Sequence, residues 1–95
     1  MKFIREDFKR VNLEPGKYYY QIKTQILEID IEPCAGGFCV AIYYPDQKLA
    51  FPKKCTNHEG YDQSINSLVG ERREETWDKA LKIAGELFDK FPFVP

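Results

Sequence analysis

The chain is short of most residues and patterns that announce chemistry. It has one histidine, three cysteines, one tryptophan and one methionine in 95 residues. It carries no Gly-rich phosphate loop, no Gly-x-Ser-x-Gly elbow and no evident pair of carboxylates in an apolar setting. Those absences remove the common signatures of nucleotide-binding and acyl-transfer enzymes. No run of eighteen apolar residues occurs, so no membrane-spanning helix is expected. Lys2, Arg5, Glu6 and Asp7 break up the first residues, so the apolar core of a signal peptide is not expected either. Charge of one sign is lacking as well: 14 basic residues face 15 acidic ones, for a net charge of -1. That balance argues against affinity built on neutralising many phosphates, and equally against an acidic mimic of nucleic acid. An odd number of cysteines fits a reducing compartment better than a disulfide framework, so a cytoplasmic location with reduced thiols is expected.

What is present is a folding chain. Hydrophobic residues make up 43% and aromatics 15%, which is enough apolar surface for one ordered domain over 1–95. Phe3, Ile4, Phe8 and Val11 are spaced for a short helix, with a strand as the alternative. Leu13-Glu14-Pro15-Gly16-Lys17 is a turn. Tyr18 to Ile31 has the strongest strand pattern. Its apolar phase flips at Leu27, which implies either a bulge in one strand or two strands broken near Gln25. Phe38, Val40, Ile42 and Tyr44 mark a further strand, and Pro45-Asp46-Gln47 a tight turn. Lys48 to Phe51 reads as a short strand returning from that turn.

Residues 52–61 follow neither period and form a long loop, which in a compact domain is usually functional or tied down. Helical spacing takes over from residue 62. Ile65, Leu68 and Val69 precede Trp77, Ala80, Leu81, Ala84, Leu87, Phe88 and Phe91. A break is expected in the polar stretch 70–75, with Thr76 capping the second helix. The expected fold is therefore α+β: a three- or four-stranded antiparallel meander with one or two C-terminal helices packed on one face. Trp77, Leu81, Phe88 and Phe91 should meet Ile22, Val40 and Ile42, and Leu81→Ala or Phe88→Ala should strongly destabilise the fold.

Two groups of residues are candidate sites. Cys34, Cys39, Cys55 and His58 lie within 25 residues of one another and supply enough ligands for one tetrahedral zinc. Zinc is the only cofactor they suggest. The Cys-x4-Cys spacing is wider than a common zinc knuckle, and buried inert thiols account for the same residues, because cysteine is among the most buried residue types. A third reading makes Cys55 a nucleophile activated by His58 and the neighbouring Lys53 and Lys54.

The second group is aromatic. Neighbouring tyrosines on a strand point to opposite faces, so Tyr19 and Tyr43 are expected on the face away from the helices, with Lys53 and Lys54 near them. Exposed tyrosines suit protein interfaces, because they bury much area at little entropic cost. The same tyrosines with Lys17, Lys23 and Lys48 would suit nucleic-acid stacking, but Glu28, Asp30 and Glu32 interrupt a positive field.

The segment Lys48-Leu49-Ala50-Phe51-Pro52, then Cys55, then the helix from Thr76 to Ala84, resembles the ending of HicB-like antitoxins. The resemblance covers about a quarter of the chain and implies a strand meander followed by a helix. About twenty residues separate Cys55 from Thr76, where that family has a few, and its glycine before the capping threonine is absent. No functional residue is carried over from it.

The sequence leads to the expectation of a small cytoplasmic, non-catalytic domain that binds another protein or protein complex as an inhibitor or adaptor. Phage-type inhibitors of host defence are one such class. The alternatives are a nucleic-acid-binding module that uses the sheet face, and a small zinc-stabilised domain.

Overall fold

The computed structural model describes residues 1–34, 37–56, 61–62, 67–68 and 70–91. Five strands form one antiparallel sheet in the order β1-β2-β3-β4-β5: β1 (Lys9–Glu14), β2 (Lys17–Lys23), β3 (Glu28–Cys34), β4 (Gly37–Tyr43) and β5 (Lys54–Cys55). A small second ladder pairs β6 (Tyr61–Asp62) with β7 (Ser67–Leu68), and one helix follows, α1 (Gly70–Lys90). Meander and helix give the expected α+β class, with more strands and a single helix.

Several local expectations are corrected. The N-terminal segment is a single 3-10 turn (Arg5–Asp7) leading into β1, and not the short helix its spacing suggests. Four apolar residues within nine positions fit either period, and pairing with β2 decides between them. The phase flip at Leu27 is a turn between two strands. Thr24 Oγ1 accepts the N–H groups of Ile26 (3.2 Å) and Leu27 (3.1 Å), and the Thr24 N–H donates to the Leu27 carbonyl at 2.9 Å. A threonine that satisfies backbone donors in this way closes a tight reversal without glycine.

The expected strand at Lys48–Phe51 reduces to one bridge between Tyr43 and Leu49, and the pairing resumes at β5. Helix α1 runs unbroken through 70–75, so Thr76 lies inside it, buried, and does not cap it.

Alternation along the strands separates two faces. Ile29 and Ile31 on β3, and Phe38, Val40 and Ile42 on β4, point towards α1 and are buried. The helix meets them with Trp77, Ala80, Ala84, Leu87 and Phe91, a three-four repeat that keeps one stripe inward. Ala80 and Ala84 are fully buried and lie in the middle of that stripe. Leu81 and Phe88 are only partly buried at its margin, against expectation. Trp77 anchors one end of the core, with ring centroids 4.7 Å from Tyr20 and 5.0 Å from Phe38. Phe3 and Phe8 close an edge, with Phe3 packing edge-on to Phe88 at 5.6 Å. The helix thus covers one face of the sheet, and among the described residues no element packs over the other, the open face. No described helix is long and apolar enough to cross a membrane.

Candidate functional site: the open face of the sheet

The register of the strands builds this face row by row. Gln21 on β2 pairs with Asp30 on β3, which pairs with Ala41 on β4. The next row holds Lys23, Glu28 and Tyr43. On the other side, Glu32 pairs with Cys39, which pairs with Cys55. Tyr19, two residues before Gln21, shares this face. The register shift between Asn12 and Glu14 leaves Leu13 unpaired at the rim.

The result is a concavity of about 410 Å³ whose lining includes Tyr19, Tyr43, Glu28, Asp30 and Glu32. Another concavity, of about 460 Å³, lies between residues 1–3 and α1. Its three carboxylates, Asp78, Glu86 and Asp89, are balanced by Lys2, Lys82 and the amine of Met1, which pairs with Asp89.

Asp30 is the unusual residue. It stands on the central strand, beside the small and buried Ala41. Among the described residues, its Oδ1 is buried without a hydrogen-bond partner. Partial burial pushes its carboxyl up to about 8. A side-chain hydrogen bond with Glu28 and the negative charges of Glu28 and Glu32 add to the rise, and Lys53 partly opposes it. Near neutral pH the Asp30 carboxyl therefore favours its protonated form. The phenol of Tyr19 is raised too, first by desolvation and then by Asp30 and Glu28. Both shifts come first from burial, and the neighbouring carboxylates add to them. A cation brought to this face would be attracted and would drive the proton from Asp30.

The candidate residues sort as follows. Tyr19 and Tyr43 line the same concavity. Lys53 is close enough to act on Asp30, and it leads into β5 in the same phase as Cys55. Lys54 pairs with Val40, whose side chain faces α1, so Lys54 belongs to the opposite side of the sheet edge. Cys39 and Cys55 are directly opposed across β4 and β5, with Cα atoms 4.0 Å apart, and are joined in a disulfide.

This corrects the expectation of reduced thiols, because the register places the two cysteines face to face. As a disulfide, neither sulfur is the thiolate that zinc binds, nor is Cys55 a nucleophile. Cys34 ends β3 opposite Gly37, and His58 lies outside the described residues. Among the described residues, no three histidine, cysteine or acidic side chains are placed to hold a metal ion.

Glu28, Asp30 and Glu32 were visible in the sequence only as residues that spoil a positive field. Their two-residue spacing between Ile29 and Ile31 is the signal that places them together on the solvent side of a strand. It also supplies the paired carboxylates that the sequence did not reveal. Comparison with family models, with curated proteins and with solved structures finds no match to this chain.

Proposed function

We propose that the protein is a non-catalytic binding domain whose open sheet face engages another protein through a basic segment of that partner, as an inhibitor or adaptor of a larger complex. The observation that carries this reading is the joint lining of one concavity by Tyr19 and Tyr43 with Glu28, Asp30 and Glu32. Tyrosines supply rigid contact area, and the carboxylates supply a field that selects cations. Arginine suits such a place best, since its guanidinium stacks on an aromatic ring and pairs with a carboxylate at once.

The nucleic-acid alternative uses the same tyrosines but must bring phosphates against the charged Glu28 and Glu32, which costs affinity. A cytoplasmic setting belongs to this reading. The disulfide weighs the other way, since lasting disulfides belong to oxidising compartments.

The test is capture of a purified partner by the wild type and by the Tyr19→Ala/Tyr43→Ala double variant. Both side chains lie outside the helix-facing core, so the variant should fold and bind about tenfold or more weakly. Unchanged capture would make the open face the wrong surface.

A further inference from the structure

We infer that the Cys39–Cys55 disulfide is a thiol-reducible latch that fastens β5, and with it Lys53, to the edge of the acidic open face. β5 is two residues long and, among the described residues, pairs only with β4. So short a ladder holds little by itself. Two hydrogen bonds between Thr56 and Phe38 fasten it further. The Thr56 N–H donates to the Phe38 carbonyl at 2.9 Å, and the Phe38 N–H donates to Thr56 Oγ1 at 3.1 Å. The disulfide is the covalent third. It lies at the sheet edge, where Cys55 is exposed and Cys39 half-buried.

Exposure makes Cys55 the sulfur that a reductant reaches. A dithiol reductant attacks Cys55 Sγ as its thiolate, forms a mixed disulfide and releases Cys39 as a thiolate, which takes up a proton. The second thiolate of the reductant then displaces Cys55. The protein pair gains two electrons and two protons, and the reductant leaves as its own disulfide.

Reduction should act locally. Ile29, Ile31 and Ile42 are buried on the other face and are not among the residues β5 pairs with. Lys53, two residues before Cys55, is the cation that opposes the raised carboxyl of Asp30. Freeing β5 removes that cation and leaves Gln21, Lys23, Glu28, Glu32 and Tyr43 around Asp30. The open face then becomes more negative, so the latch adjusts the charge offered to a partner. That last step rests on the proposed function, and the latch itself does not.

The experiment therefore needs no partner. Alkylation of the denatured chain should count one thiol before reduction and three after it, because two of the three cysteines are bonded. Amide exchange of the oxidised and reduced protein should show the Phe38 and Thr56 amides exchanging about tenfold or more faster after reduction, with Ile29 and Ile31 unchanged. The carboxyl of Asp30, followed by NMR, should titrate at higher pH once the latch is open. Three thiols before reduction, or Phe38 and Thr56 amides indifferent to it, would overturn the latch. Loss of protection at Ile29 and Ile31 as well would also overturn it, making the disulfide a staple of the whole fold. An unmoved Asp30 titration would remove Lys53 from the account.

Discussion

Thr56 and Phe38 satisfy one another across the sheet edge: the threonine hydroxyl accepts the Phe38 N–H at 3.1 Å while the threonine N–H donates to the Phe38 carbonyl at 2.9 Å. Thr56 is buried, so the hydroxyl is the acceptor that keeps this N–H from being stranded. Thr56→Val keeps the shape and removes the acceptor, and should cost about 1–3 kcal/mol in denaturant unfolding. Gly37 stands beside this contact with φ +150, and a Cβ there would strike Thr56 Oγ1. Gly37→Ala should therefore destabilise by about as much, through strain and the displaced hydroxyl. Thr56→Ser should be close to wild type.

The helix stripe gives a second expectation, which differs from the one drawn from spacing. Leu87 is buried against the sheet, while Leu81 is only partly covered. Leu87→Ala should cost about 2–4 kcal/mol and Leu81→Ala clearly less, measured as shifts of the denaturation midpoint at constant slope. Ala84 is fully buried in the same stripe, so Ala84→Leu should destabilise by about 1–3 kcal/mol through overpacking.

Asp30 ties stability to pH. Its folded-state carboxyl, at about 8, lies above the ordinary value of 3.8, so the folded protein holds this proton more tightly than the unfolded chain. The stability it contributes is fully present below about 3.8 and is lost as pH rises through about 8. Asp30→Asn keeps an uncharged group there. It should raise the melting temperature at pH 9, by an amount equivalent to roughly 1 kcal/mol once the residue's partial exposure is allowed for, and change little at pH 5.

How far the sequence could be read follows from where the physics is local. β4 was legible because Phe38, Val40 and Ile42 alternate without interruption. The inward stripe of α1 was legible from Trp77, Ala80 and Ala84, though its exact phase was not: Leu81 and Leu87 both fit a 3.6-residue period until the sheet chooses between them. The phase flip at Leu27 was seen, but parity alone cannot separate a bulge from the Thr24 turn. β5 has two residues and no alternation to show. Without β5 there was no register to set Cys39 against Cys55, and an odd cysteine count argued against any pair. Tyr19 and Tyr43 were placed on the open face by alternation alone. The acids between them were seen, but their convergence depends on Ala41 and Gln21 coming alongside Asp30, which only strand pairing supplies.

Selection of a basic protein segment by the open face is the proposed property. It is tested most directly by titrating a short arginine-rich peptide, an acidic peptide and a single-stranded oligonucleotide into isotopically labelled protein and following amide shifts. The account predicts that the arginine-rich peptide shifts Tyr19, Asp30 and Tyr43, binds more tightly as pH rises through about 8 and releases a proton as it does so. It predicts that the other two probes leave those residues unmoved. An oligonucleotide that shifts the tyrosine face, or an arginine-rich peptide whose shifts fall on the outer surface of α1 instead, would contradict it.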